Sequence, residues 1–430
     1  MSINKAMYAG VSGLTSESDT LSIVGENVAN VSTVGFKKSR AMFENVLGGA
    51  VGAPDNTGGG VRLGRAQQIF AQGALQATGQ ATDVALQGDG FFVVKGTVGG
   101  ISGNFYTRAG QLTVKNDGTL INPAGLAVQG YTARGDGTFN SSVGNIQLST
   151  AQLPPKTTTT MKVTANLDAG ATQPTAAWDP QNPGATSNLS TSMTVYDSRG
   201  VSHSVDLYFR KNATSGQWDV HALAKGDDVV GGTAGQNTEI GNATVQFDSA
   251  GALQSVNWGA QPTVSFNGAT ANQVIKVDLG SPTATGGSGL GGTTQFGSAS
   301  AVSAQSQDGY ASGDLSGVKI EADGTVSGVY SNGQTVAAGQ LAVAKFSANE
   351  GLAKAGQNVW AATRESGEPA VGSAGAAGRG AVVAGSLEQS NVDISEEFVS
   401  MIQHQRAFQA NSKTITTADQ MLQELMQIKQ

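Results

Sequence analysis

Two apolar stripes, one at each end of the chain, constrain its fold more than any other feature. Near the N-terminus, large apolar residues recur every seven positions: Met7, Leu14, Leu21 and Val28, with Ile3, Val24 and Val31 on the adjoining row. The C-terminal stripe has the same spacing: Ile394, Met401, Phe408, Ile415 and Leu422, supported by Phe398, Ala418 and Leu425. This period is typical of helices that pack on other helices. The pattern therefore predicts one long amphipathic helix at each terminus.

Polar and glycine residues interrupt both stripes. Gly10 and Glu17 fall in the second row of the N-terminal stripe, and His404 and Asn411 fall in that of the C-terminal stripe. These interruptions argue against a simple two-stranded zipper. Gly35 is placed to end the first helical region, and the second helix should reach about residue 429.

The surroundings of the two stripes bear on what covers them. An amphipathic helix usually packs on the core of its own protein, which is one alternative here. Both stripes, however, are terminal and bounded by segments rich in Gly and Ala, such as residues 367–385. This placement weakens the alternative that each stripe simply packs on the core of its own domain.

The middle of the chain has the composition of a β protein. Gly accounts for 60 of 430 residues, about twice the average usage, and charged residues for only 13%. Turn dipeptides such as Asp117-Gly118 and Asp323-Gly324 separate strand-like runs. A block from about residue 145 to 290 reads as a separate set of hairpins, and the Gly- and Thr-rich segment 282–297 that closes it is predicted to be a linker.

Sequence signals for chemistry are weak. The chain has no Cys, which excludes disulfides and thiol nucleophiles. A G-x-G-x-x-G pattern at 287–292 has no helix after it and no βαβ unit around it. The three histidines, His203, His221 and His404, stand alone in the sequence. We predict no catalytic, cofactor-binding or metal-binding residue, no cofactor and no enzymatic activity.

Charge and hydropathy limit the partners. The net charge of −7 without a basic block argues against nucleic acid. No window approaches 18 apolar residues, which argues against membrane insertion. The first 20 residues lack the apolar core and cleavage site of a signal peptide. If the protein is secreted, we expect it to keep its N-terminus.

Several motifs carry a resemblance to a known family. One lies in residues 27–37 and matches the pattern N-x-A-N-x-x-T-x-G-F-K through Asn27, Ala29, Asn30, Thr33, Gly35, Phe36 and Lys37. Others lie at 83–94, 105–131 and 385–427, of which 405–411 (QRAFQAN) is the most specific. These motifs resemble the rod and hook axial proteins of the bacterial flagellum. Chain length and the block at 196–209 resemble hook subunits rather than the shorter rod subunits.

The stripes, the hairpins and the resemblance together predict the fold class. It is multidomain and mainly β, with two β-rich domains inserted into one another and with the N- and C-terminal α-helices forming a coiled-coil-like terminal domain. The expected boundaries are a terminal polymerisation domain at 1–30 plus 392–430, an extended linker region at 31–70 plus 363–391, an inner β-domain at 71–144 plus 291–362, and an outer β-domain at 145–290.

The resemblance also implies a function. Identical subunits would form a helical tube with the terminal helices as its inner wall, a flexible coupling between rod and filament that transmits torque. The expected polymer interface is Met7, Leu14, Leu21, Val24, Val28, Phe36, Phe398, Met401, Phe408, Ile415, Leu422 and Leu425.

Other partners follow from the same resemblance. They are the rod, hook-cap and hook-filament junction proteins and the flagellar type III export apparatus, and the location is extracellular. Two alternatives stay open at this point. One is a stiff subunit like those of the distal rod, and the other is a secreted β-rich adhesin or polysaccharide-acting enzyme.

Overall fold

A computed structural model describes residues 3–47, 58–134 and 137–428 of the chain. Three α-helices are present in this part: α1 (Ile3–Ala29), the short α2 (Pro183–Thr186) and α3 (Ile394–Ile428). The predicted terminal helices are therefore confirmed. Gly35 has a φ of +70° and follows the turn that closes α1, as predicted from the position of this glycine.

The chain divides into two compact units. Unit 1 consists of Met1–Thr150, Ser316–Val329 and Thr335–Gln430, and unit 2 of Ala151–Leu315 with Tyr330–Gln334. Unit 2 is thus inserted into the sequence of unit 1. The mainly β fold with terminal helices and with one β-rich region inserted into another agrees with the predicted class.

The first strands of unit 1 precede the insertion. They are β1 (Ser39–Leu47), β2 (Gly58–Gln68), β3 (Leu75–Ala77), β4 (Val84–Gln87), β5 (Phe91–Val98), β6 (Ile101–Thr107), β7 (Thr113–Val114), β8 (Leu120–Ile121), β9 (Ala127–Ala133) and β10 (Phe139–Asn145). Strands β1 and β2 pair as a long antiparallel hairpin.

Unit 2 contributes the next strands in chain order. They are β11 (Thr160–Asn166), β12 (Leu189–Tyr196), β13 (Ser202–Lys211), β14 (Gln217–Lys225), β15 (Asn237–Phe247), β16 (Leu253–Ala260), β17 (Thr263–Val264), β18 (Gln273–Val274), β19 (Lys276–Asp278) and β20 (Ala301–Gln307). Strands β12 to β16 form an antiparallel meander, and β19, β11 and β20 form a second sheet. Alternate side chains of the meander are buried, including those of Val205, Leu207 and Phe209, and the core also contains Trp218 and Phe266.

The chain then returns to unit 1. The remaining strands are β21 (Leu315–Ile320), β22 (Thr325–Tyr330), β23 (Thr335–Lys345), β24 (Ala353–Gly356), β25 (Val359–Ala361), β26 (Ala370–Ser373), β27 (Ala381–Ala384) and β28 (Ser386–Glu388). The main sheet runs in the order β21–β22–β23–β9–β5–β6–β25–β24. Strands β27 and β28 pair with β4 and β3, so the segment before α3 is held by the segment after the first hairpin.

Two predicted linkers are ordered parts of the fold. In the segment 282–297, Thr293 is fully buried and its N–H donates to the carbonyl oxygen of Leu279 at 2.7 Å. The β-rich block therefore continues past residue 290, because β20 supplies the partner that completes the sheet around β11. The described residues 31–47, 58–70 and 363–391 likewise contain paired strands, which differs from the extended linker expected there.

Candidate assembly interface

Helices α1 and α3 pack antiparallel, and their contact is called the helix seam below. At one end, the Asn27 amide nitrogen donates to the Glu397 carboxylate at 3.2 Å. Further along, Nδ1 of His404 lies 2.6 Å from Oε2 of Glu17. Because the α3 partner number rises as the α1 number falls, the two helices run in opposite directions.

The face of α1 that turns inward is made of small and polar side chains. Its buried members follow spacings of three and four: Gly10, Gly13, Ser16, Thr20, Val24 and Asn27. Only one of these residues is large and apolar. The helix seam is therefore a close approach of backbones with polar contacts rather than an interdigitated apolar zipper.

The β1–β2 hairpin covers a further side of α1. The hydroxyl of Ser12 accepts a hydrogen bond from the N–H of Val61 at 3.2 Å, and the hydroxyl of Ser16 donates to the Val61 carbonyl at 3.4 Å. A Cβ on Gly60 would lie 2.1 Å from the Ser12 hydroxyl oxygen, so glycine is needed where the strand meets the helix. Two serines thus satisfy backbone groups of β2 that have no strand partner on this side.

Asn27 joins three elements through one side chain. Its amide nitrogen donates to the Ser39 carbonyl at 2.8 Å, and its amide oxygen accepts from the Ser39 N–H at 2.9 Å. The same nitrogen also donates to Glu397 on α3. Because Asn27 is almost fully buried, this set of partners satisfies a group that would otherwise be costly to bury.

A buried ionic cluster lies beyond the end of α1 and is called the junction below. Its centre is the fully buried carboxylate of Glu388 on β28, which contacts the ammonium of Lys37. The guanidinium of Arg108 lies 3.2 Å from the other carboxylate oxygen, and the N–H of Gly73 donates to the first at 2.9 Å. Burial lowers the pKa of Lys37, and the Glu388 carboxylate offsets this only in part.

Backbone geometry closes the junction. The N–H of Gly35 donates to the Glu388 carbonyl at 2.7 Å, and a Cβ at Gly35 would lie 2.6 Å from the Ala109 nitrogen. Asn391 accepts from the N–H of Lys38 at 2.8 Å and donates to the carbonyl of Ile69 at 2.7 Å. The family-like motifs at 27–37, 105–131 and 385–427 therefore meet in space.

The residues predicted for the polymer interface fall into three groups. Val24 and Phe36 are buried within the chain, whereas Phe398 and Phe408 are exposed. The half-buried group contains Met7, Leu14, Leu21, Val28, Met401, Ile415 and Leu422. Leu425 lies on α3, but its side chain is outside the described part of the structure.

The two ends of the C-terminal stripe differ in their surroundings. Ile394 at the start of α3 is exposed, whereas Ile415 lies close to Gly10 of α1. Glu397 and His404, seven residues apart, both contact α1, so the helix seam follows a neighbouring row of α3 with the same spacing.

Sequence reasoning missed the most constrained residues of this region. Arg108, Glu388 and Asn391 lie within the motifs of the resemblance, but none was predicted as a site residue. A charged residue inside the short β-like run that precedes a helix was the only local signal for Glu388. Its partner Lys37 lies 351 residues away in the sequence.

Two further kinds of feature were sought among the described residues: membrane-crossing helices and metal-binding clusters. Among them, no helix is long and apolar enough to cross a membrane. Within the same residues, no three His, Asp or Glu side chains are placed to hold a metal ion together.

Family models match most of the chain in consecutive blocks. Residues 7–37 match the flagella basal body rod protein model, and residues 85–166 match the flagellar hook protein FlgE/F/G D1 domain. Residues 166–310 match the flagellar basal body protein FlaE D2 domain, and 383–428 the flagellar basal body rod FlgEFG protein C-terminal model. The D2 match falls within unit 2, and the first and last matches contain most of α1 and all of α3.

Two full-length relatives share one name. The flagellar hook protein FlgE of Treponema pallidum is 36% identical to this chain, covering 99% of each. That of Escherichia coli is 34% identical, covering 99% of this chain and 100% of its own. The crystal structure of the Helicobacter pylori flagellar hook protein FlgE2 has a TM-score of 0.50 at 17% identity, covering 71% of this chain and 98% of that one.

Proposed function

The chain belongs to the flagellar hook protein FlgE family, and on that premise we propose that its copies assemble through α1 and α3 into a curved helical tube. The protein is a structural subunit of the flagellar hook, a part of the flagellum outside the cell. The tube would be the flexible coupling that joins the rod to the filament and transmits the torque of the motor.

The observation that carries this proposal is an uncovered apolar surface on α3. Phe398 is 49% exposed, Val399 56% and Ile402 51%. These residues lie on the side of α3 away from Glu397 and His404, the residues that contact α1. A monomeric protein rarely leaves a cluster of large apolar side chains in water. Because about half of each side chain is still exposed, covering the remainder would contribute about 1 kcal/mol for each, which favours a neighbouring copy as the cover.

α1 offers a second apolar surface to a neighbour. Tyr8 and Val11 are exposed, and Leu14 and Leu21 are half-buried. Tyr8 and Val11 lie away from Gly10 and Glu17, which contact α3, whereas Leu14 and Leu21 lie beside these two residues at the edge of the helix seam. Val24 and Phe36 already pack inside the chain and would support the interface from beneath.

Further partners are proposed on the same family premise. A tube of this kind needs contacts with the rod below it, a cap at its growing end and junction proteins towards the filament. We also propose export through the flagellar type III apparatus, without removal of a signal peptide. The relatives compared above are structural hook proteins, and we propose that this chain has no catalytic role.

Assembly can be tested with a matched pair of substitutions. Val399 on α3 and Val274 on β18 have nearly equal exposed fractions, 56% and 54%. Val399→Asp and Phe398→Asp should prevent tube formation, measured by sedimentation and electron microscopy, because a carboxylate would be buried in the wall. Val274→Asp adds the same charge to unit 2 and should leave tubes intact.

The outcomes separate the alternatives. Tubes that form equally well with Val399→Asp would contradict assembly through this face of α3. Straight, stiff tubes from the unmodified protein would favour the distal-rod alternative over the hook. Curved tubes that disappear only with the α3 variants support the proposal.

A further inference from the structure

The interruptions of the two apolar stripes meet each other in the helix seam. Glu17 interrupts the stripe of α1, His404 interrupts that of α3, and their side chains are 2.6 Å apart. Gly10 and Gly13 of α1 lie against Ile415 and Asn411 of α3. What reads in the sequence as a set of defects is, in the structure, a set of complementary contacts.

Glycine at position 13 has a local steric reason. A Cβ there would lie 2.6 Å from the Asn411 amide nitrogen and 2.9 Å from its Cγ. At Gly25, on the same helix, a Cβ would meet no atom within 4 Å. An added methyl group would therefore meet α3 at Gly13 but not at Gly25, which makes Gly25 a matched control.

We propose that Glu17–His404 and Gly13–Asn411 determine the register in which α1 pairs with α3. A slip of one heptad in one direction would bring Glu17 beside Glu397, two carboxylates of like charge. A slip in the other direction would leave His404 without its carboxylate partner. Polar positions in a helix pair act on register because misplacing them costs more than misplacing apolar side chains.

The charges around His404 agree with this role. Glu17 faces it from α1, and Glu396 and Glu397 precede it on α3. Lys38 and Arg40 line the same surface depression from the segment after α1. Lys38 is itself paired with Glu396 at 2.8 Å, which leaves Glu17 as the carboxylate directly bound to the imidazole. The inference concerns contacts within one chain, so it stands independently of whether tubes form.

Disulfide trapping reads the register directly, because the chain has no Cys of its own. Gly10→Cys would be combined in the full chain with Ile415→Cys, Phe408→Cys or Leu422→Cys. The first pair reports the observed register and the other two report slips of one heptad either way. In dilute monomer under mild oxidation, the pair at 415 should form on the order of tenfold faster than the others.

A second variant separates register from stability. Glu17→Leu with His404→Leu keeps the helices apolar and packed but removes the polar match. We expect helical content by circular dichroism to be retained while trapping spreads over 408, 415 and 422. Trapping that stays confined to 415 in this double variant would contradict the role of Glu17 and His404 in setting the register.

The glycine comparison gives an independent check. Gly13→Ala should slow trapping at 415 on the order of tenfold, whereas Gly25→Ala should not slow it. Gly13→Ala combined with Asn411→Ala should restore the rate, because the clash is removed from the other side. Equal effects of the two glycine substitutions, or no restoration in the double variant, would contradict the assignment of Gly13 and Asn411.

Discussion

Unit 2 buries its large apolar side chains, whereas the C-terminal helix leaves several of its own exposed. In unit 2, Phe209 and Trp218 are fully buried beneath a sheet that the unit builds from its own strands. On α3, Phe398 and Phe408 are exposed, and the seam with α1 is made mostly of small and polar residues. A sheet folded over a second sheet can enclose its own core, whereas two helices can cover only one stripe of each other. The comparison separates a region that is complete alone from one that needs neighbours.

The largest expected effect lies in the core of unit 2. Phe209→Ala should lower the free energy of unfolding of this unit by about 3–5 kcal/mol, because it leaves a cavity in a packed core. Denaturant unfolding followed by circular dichroism measures the change. Phe296→Ala removes a phenylalanine that is 43% exposed in the same unit and should change stability far less. A small loss for Phe209→Ala would break the comparison.

The junction is the one part of unit 1 near α1 that should be nearly as sensitive. Glu388→Gln would leave Lys37 and Arg108 buried without an anion and should cost about 3–5 kcal/mol. Loss of the Lys37 proton, favoured by its lowered pKa, would relieve part of this cost. Hydrogen exchange at β28 and β3 is the measurement.

Two further variants test the junction prediction. Glu396→Gln changes an exposed ion pair and should have little effect. Lys37→Met in the Glu388→Gln background should recover part of the loss. Equal effects of the two glutamate substitutions would show that burial of the ionic cluster does not stabilise unit 1.

A smaller, pH-dependent effect belongs to unit 2. Burial opposes ionisation of Asp308, but hydrogen bonds from the Thr159 hydroxyl and from the N–H groups of Thr160 and Thr159 outweigh it and lower its pKa to about 2. Since the folded pKa is below the usual 3.8, this stabilisation is present above about pH 4 and is lost as pH falls towards 2. After allowance for solvent screening it amounts to about 1–2 kcal/mol.

Asp308→Asn tests this pH dependence. The variant should flatten the stability curve of unit 2 between pH 4 and 2, measured by denaturant unfolding at each pH. Asp323→Asn, at an exposed turn of unit 1, serves as the control. If Asp308→Asn and the unmodified protein lose stability equally between pH 4 and 2, the Asp308 carboxyl is not the group whose protonation destabilises unit 2.

The smallest effect on the monomer is expected at the exposed stripe. Phe408→Asp should change the free energy of unfolding by no more than about 1 kcal/mol, because the side chain is 38% exposed and lies outside the cores of the two units. The same substitution should abolish tubes. Thermal melting of the monomer beside a sedimentation assay tests both statements. A large fall in the melting temperature would show that Phe408 belongs to a core of the monomer, which would contradict the difference drawn between unit 2 and the terminal helices.

Sequence reasoning succeeded where one periodic signal dominated. The heptads predicted both terminal helices, and Gly35 marked the end of the first helical region. It failed where a contact depended on distant segments or on helix phase. The helix seam could not be read from the heptads because it follows the polar row of α3 that contains Glu397 and His404. Thr293 could not be placed in a core because its surroundings read as a flexible linker. The pairing of Lys37 with Glu388 has no local signature at all.

The insertion of unit 2 has a consequence for the order of folding. The junction joins residues 351 positions apart, a very long loop for a chain to close. If unit 2 folds first, it brings residues 150 and 316 close together and removes roughly half of that loop. Halving a loop lowers its closure entropy by about 0.6 kcal/mol, and contacts of lower effective separation form faster. Early folding of unit 2 would therefore favour the contacts between the N-terminal and C-terminal parts of unit 1.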